Sequence, residues 1–123
     1  MSMFKVPVGV GHPDGGDLCP VDAIVDTGSP HSMLPASLLA DLKISPQQEL
    51  GFILADGRRV RYGFGIARFE IDGEQRPCPV VFGPEDRHLL GNTALGMFNL
   101  RVDPNGERLV PAEWLRLGWG GPI

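Results

Sequence analysis

Ala23-Ile24-Val25-Asp26-Thr27-Gly28-Ser29-Pro30-His31-Ser32-Met33-Leu34 is the stretch on which the reading of this chain turns. Three apolar residues run into a carboxylate, Thr27-Gly28 makes a sharp turn, and the chain becomes apolar again at Met33 and Leu34. An Asp followed by Gly is a common way to end a strand, so the tripeptide alone reads as a turn. Its setting says more. An unpaired charge at the end of a buried strand is costly, and it makes sense there if the carboxylate does chemistry.

Working outward, turn and strand signals alternate along the whole chain. Met3 to Val10 and Leu18 to Val25 read as strands joined by the dense turn cluster Gly11 to Asp17. Pro35 opens a short helix with Leu38, Leu39 and Leu42 on one face. Leu50 to Ala55 and Arg58 to Ile71 form a long hairpin about Asp56-Gly57. On its return strand Val60, Tyr62, Phe64 and Ile66 share a face, and the apolar set then moves to Phe69 and Ile71. That phase change predicts a bulge or a strand crossing between layers. Asp72-Gly73 turns the chain, Pro79 to Phe82 is an apolar strand, and Leu89-Leu90-Gly91 follows the charged loop Glu85 to His88. A short helical stretch is expected near Asn92 to Met97. Phe98, Leu100 and Val102 alternate with polar residues, Asp103 to Gly106 turns, and Leu109-Val110 starts a last strand.

Composition limits the function classes. The 123 residues suit one domain with one core, taken here as 1–123 with a tail from about 112. With 17 Gly and 12 Pro, the punctuation density favours an all-β class. A net charge of -4 and scattered basic residues argue against nucleic acid, and Arg58, Arg59 and Arg61 read as a solvated face. No apolar run reaches the length of a membrane span and the first ten residues lack a secretory pattern, so a soluble domain is expected, in the cytoplasm rather than secreted. Cys19 and Cys78 read as free, buried thiols. Neither has a second ligand at metal-binding spacing, so no metal and no cofactor is expected.

Three motifs in order, the Asp26-Thr27-Gly28 loop, the strand and turn Pro79 to Pro84, and Leu89-Leu90-Gly91 with Leu95 beyond it, resemble the retropepsins, the single-domain aspartic proteases of retroviruses and their cellular and bacterial relatives. The likeness runs to about Asp103. It implies a closed acid-protease barrel with one lobe per chain, one short helix, and a flap where the Asp56-Gly57 hairpin falls. Aspartic protease chemistry needs two carboxylates that share a proton and hold a water. One motif per chain then implies a homodimer, with Asp26 beside Asp26 of a second copy and a peptide or protein substrate between them.

The resemblance also assigns roles. Asp26, Thr27 and Gly28 form the catalytic loop, Thr27 bridging the two copies and Gly28 admitting the substrate backbone. Ser29 would donate to the catalytic carboxylate, which predicts that Ser29→Ala moves an acidic optimum upward. Ser29, His31, the hairpin residues Ala55, Asp56 and Gly57, and Arg87 and His88 are the expected substrate contacts. Read plainly, His12, His31 and the 85–88 loop are ordinary surface residues. Two departures stand out: Pro30 and Asn92 occupy positions where the viral enzymes pair an aspartate with an arginine. The chain also continues past the viral end through Trp114 and Trp119. Three functions fit: an active endopeptidase, a silent dimeric interaction module on the same fold, and a self-processing domain of a larger protein.

Overall fold

The computed structural model describes residues 4–112 and Gly120. Trp114, Trp119 and the expected tail lie outside the described residues. The elements are β1 (Lys5–Gly11), β2 (Cys19–Val25), β3 (Ser32–Pro35), α1 (Ala36–Asp41), β4 (Gln48–Ile53), β5 (Arg59–Ile71), β6 (Glu74–Gly83), β7 (Leu89–Leu90), α2 (Asn92–Met97), β8 (Leu100–Val102) and β9 (Leu109–Pro111). The fold is all-β with short helices at the two places where the sequence suggested them. Seven strands form one sheet in the order β1-β2-β7-β3-β6-β5-β4, and an additional β1–β5 pairing closes it into a barrel. β8 and β9 make a separate hairpin.

The position of β7 determines the site. It pairs in parallel with β2, Ile24 opposite Leu89 and Val25 opposite Leu90, and antiparallel with β3 through Met33 and Leu89. The loop 26–31 joins β2 to β3, and these are not neighbours. It therefore arches over the end of β7. Leu90, the last residue of β7, is 1 % exposed beneath that arch.

Alternation explains the core. Val8 and Val10 from β1, Ala23 and Val25 from β2, and Ala67, Phe69 and Ile71 from β5 point inward at every second position. Leu34, Leu39, Val80, Leu90, Leu95 and Phe98 complete one cluster. Each fully buried Leu, Val or Phe in it contributes about 1.5–3 kcal/mol. Two strand signals were hidden. β3 is only four residues long, too short to show a period. β6 begins five residues before the expected Pro79 because Pro77 and Pro79, two apart, face the same edge. Among the described residues, positions 74–79 pair with β5 alone, so that edge needs no N–H donor there.

Of the two expected causes of the phase change in β5, a bulge is absent and a passage of the strand between neighbours is present. The pairing of β5 with β6 runs unbroken from Gly63–Phe82 to Ile71–Glu74. The apolar phase changes because β5 changes its other neighbour, from β4 at 59–64 to β1 at 68–70. The hairpin turn also differs from a two-residue Asp-Gly turn. Gly57 N–H donates to the Leu54 carbonyl at 2.8 Å, which makes Ala55 and Asp56 the turn's centre and leaves Gly57 in the left-handed region at φ +90°. Asp56 Oδ1 accepts Arg58 N–H at 3.0 Å and its Oδ2 accepts Arg58 Nε at 2.7 Å. These bonds, the backbone one first, hold the Asp56 carboxyl below its ordinary 3.8. A depressed carboxyl gives its full bracing above the ordinary value and loses it as pH falls through the depressed one, so the tip stays braced at pH 4 and above.

Both cysteines are free, Cys19 half-buried and Cys78 buried. Burial pushes the Cys78 thiol up to about 12, so it stays protonated and unreactive near neutrality. A thiol reagent at pH 7.5 should therefore modify one cysteine in the folded protein and both in denaturant; two rapid equivalents in the folded state would overturn the burial of Cys78.

Candidate active site

Asp26 stands at the mouth of the barrel because β2 ends there. Its N–H donates to the Leu90 carbonyl at 2.9 Å, which extends the β2–β7 pairing by one bond. Ser29 N–H then donates to the Asp26 carbonyl at 3.2 Å and closes a turn over Thr27 and Gly28. Within it, Gly28 N–H donates to Asp26 Oδ1 at 3.0 Å and fixes the carboxylate in its plane. A Cβ on Gly28 would lie 3.3 Å from that same oxygen. Glycine is thus suited to this position by the carboxylate beside it. Asp26 itself is half-buried, while Thr27 and Gly28 are exposed.

The segment after β7 holds the arch from below. Asn92 N–H donates to the Ser29 carbonyl at 2.9 Å and Thr93 N–H to the Pro30 carbonyl at 3.1 Å. Gly91 N–H donates to the hydroxyl of buried Ser32 at 3.0 Å. The Asn92 side-chain amide donates to the Thr27 carbonyl at 2.5 Å. Asn92, notable in the sequence only as a departure, therefore ties this segment to the loop that carries Asp26 within one chain. A Cβ on Gly91 would come within 2.5 Å of the His31 carbonyl carbon and oxygen. Only glycine passes under the arch.

The Ser29 hydroxyl is placed differently from expectation. It donates to the His31 carbonyl at 3.0 Å and accepts His31 N–H at 3.3 Å. A hydroxyl has one proton to donate, so in this chain Ser29 braces the loop and does not donate to Asp26. His31 is not a surface residue either. Its half-buried ring meets Phe52 edge-on at 5.5 Å and Phe64 at 5.8 Å between centroids, and Phe52 lies 6.2 Å from Tyr62. Phe52, Phe64 and Tyr62 were not singled out by function in the sequence; their alternation with Leu50 and Val60 on one hairpin face was the available signal.

The remaining candidates are more dispersed. Ala55, Asp56 and Gly57 form the exposed hairpin tip. Arg87 is exposed, whereas His88 is half-buried and its carbonyl accepts Ile24 N–H at 2.8 Å. Glu85, in the same loop, accepts the Ser37 hydroxyl at 2.6 Å and ties the loop to α1. Among the described residues no group of three or more His, Cys, Asp or Glu could hold a metal ion. No helix among them is long and apolar enough to cross a membrane.

Comparison with known proteins bears on this arrangement directly. The aspartyl protease family model matches residues 6–97, which span the arch, the hairpin and the Leu89-Leu90-Gly91 segment. The chain belongs to the aspartyl protease family. Among solved structures, the solution structure of the simian foamy virus (mac) protease is similar in fold: TM-score 0.54 at 18% identity, covering 76% of this chain and 94% of that one. No curated protein matches the sequence. The fold is thus that of a retropepsin-like aspartyl protease, and the function is protease-like.

In such a fold the segment under the arch is a structural requirement. Gly91→Ala is expected to lower stability by about 1–3 kcal/mol or more, read from the urea midpoint. An unchanged midpoint would mean that the arch can lift away from β7 at no cost.

Proposed function

We propose that two copies of this chain assemble about a two-fold axis into an aspartic endopeptidase, with Asp26 of each copy forming one catalytic pair. The observation that carries this reading is the Asp26 carboxylate, half-buried at the end of β2 and fixed through Oδ1 by Gly28 N–H, in a chain of the aspartyl protease family. Two carboxylates held close cannot both ionise easily, so the pair holds one proton and one water. The ionised member takes a proton from the water as its oxygen attacks the scissile carbonyl, and the protonated member donates to the carbonyl oxygen. Collapse of the tetrahedral adduct returns a proton to the leaving amine and regenerates the pair. No covalent intermediate is required.

In this proposal the other residues hold and orient. Thr27 bridges the two loops across the axis, and the exposed Gly28 admits the substrate backbone. The hairpin with Ala55, Asp56 and Gly57 at its tip closes over an extended peptide, and Arg87 and His88 meet substrate side chains. The half-buried apolar face of β5, Val60, Tyr62, Phe64 and Ile66, supports a substrate with apolar side chains.

The test is cleavage of casein between pH 4 and pH 7 by the wild type and by Asp26→Ala, with and without pepstatin, and with dimer content measured in the same samples. Wild type should cut and be inhibited, and Asp26→Ala should lose about 10²–10⁴-fold in rate or more at equal dimer content. A well-formed wild-type dimer that cuts nothing would leave the interaction module as the better reading.

Ser29 gives a second check. Its proton goes to His31, so Ser29→Ala should cost about 1 kcal/mol of stability and leave the acid limb of the pH–rate profile in place. An upward shift of that limb would return Ser29 to the role of a donor to Asp26.

A further inference from the structure

The catalytic loop and the hairpin meet through one side chain. His31 has its backbone fixed on three sides: its carbonyl accepts the Ser29 hydroxyl, its N–H donates to that same oxygen, and its carbonyl group lies where Gly91 passes beneath the arch. A side chain leaving so constrained a backbone has a fixed origin. Its ring reaches both ends of the hairpin. Phe64 sits at the root, paired with Gln48, whereas Phe52 pairs with Val60 one step below the pair Ile53–Arg59 that precedes the tip. For one imidazole to lie within 6 Å of both rings, the hairpin must curl over the loop.

We infer that His31 is a positioning residue that clamps the hairpin down over the catalytic loop through Phe52 and Phe64, and so sets how readily the hairpin closes on substrate. The role in closure rests on the proposed peptidase reading; the clamp itself does not. Edge-to-face ring pairs are individually modest, but two of them act on a hairpin with few other means of staying down. Its tip residues are exposed and Ile53 beside them is 72% exposed. A protein whose competent state is only partly populated binds substrate more weakly in proportion. Loss of the clamp therefore raises KM by more than it lowers kcat. A group acting on the reacting atoms would do the opposite.

The experiment uses the whole chain and two readouts. Amide hydrogen exchange of residues 48–60 is compared in wild type, His31→Ala, His31→Phe and Phe52→Ala at one pH; peptide cleavage is measured on the same proteins. His31→Ala and Phe52→Ala should each speed exchange in the hairpin by about three- to tenfold, the double variant should add little, and His31→Phe, which keeps a ring, should restore protection. KM should rise in the two alanine variants and recover in His31→Phe. Equal hairpin exchange in wild type and His31→Ala would overturn the clamp, as would a fall in kcat at unchanged KM. If the wild type cuts nothing, the peptidase reading fails while exchange still decides whether His31 holds the hairpin.

Discussion

The loop that carries Asp26 is held in place by the three residues that pass beneath it. β2 and β3 are separated by β7 in the sheet, so the chain between them has to cross the end of β7, and the residue that follows Leu90 lies in the space under the crossing. That residue is Gly91, and the carbonyl groups of the arch point down at it and its successors. Asn92 and Thr93 supply the backbone donors for Ser29 and Pro30, and Gly91 takes the Ser32 hydroxyl as its acceptor. Without this segment the arch would hold unpaired carbonyls above a buried leucine, at a cost of about 1–3 kcal/mol each. The precision of the Asp26 carboxylate is therefore a consequence of strand order. A two-residue strand suffices because it is gripped on both edges.

The brace is made of neutral groups. Where an aspartate and an arginine could have tied loop to helix, Pro30 offers a carbonyl to Thr93 and Asn92 offers an amide to Thr27. A partly buried ion pair has to recover the desolvation of two charges before it stabilises anything, and its carboxylate half is lost to protonation in acid. An amide has no proton to gain across that range. The two sequence departures, read together, leave a neutral tie made within a single chain where a charged one could have stood.

Much of this was legible because it is local. A carboxylate, a turn and two flanking apolar stretches announce Asp26 within a dozen residues, and period-two alternation announces β1, β2, β4 and β5. What was hidden is what depends on residues far apart. The support from residues 91–93 comes some sixty positions away, with Asn92 65 residues from Thr27. β3 is too short to alternate visibly, and β6 is disguised by prolines that only an open edge permits. His31 looked like a loop residue because nothing near it in sequence shows that Phe52 and Phe64 curl over it. The hydroxyl of Ser29 could have turned to either neighbour, and only the tight fold of the arch brings the His31 carbonyl to it.

The phase change along β5 shows how one strand serves two environments. Over 59–64 the odd positions Arg59 and Arg61 turn to solvent while Gly63 faces Pro46 and Phe82, and the even ones are Val60, Tyr62 and Phe64. Over 65–71 the odd positions Gly65, Ala67, Phe69 and Ile71 are buried, and the even ones end in Arg68 and Glu70. No bulge is needed, because the strand passes from an overhanging hairpin into the barrel wall without changing its register on β6. Inside the wall its odd face lies on the core; in the overhang its even face looks toward the loop that carries Asp26. The apolar residues of that even face are only half-buried in the single chain, with the His31 ring against Phe64. Apolar surface held in place but left partly uncovered favours whatever can cover it, and in the proposed peptidase that is an extended peptide between hairpin and loop.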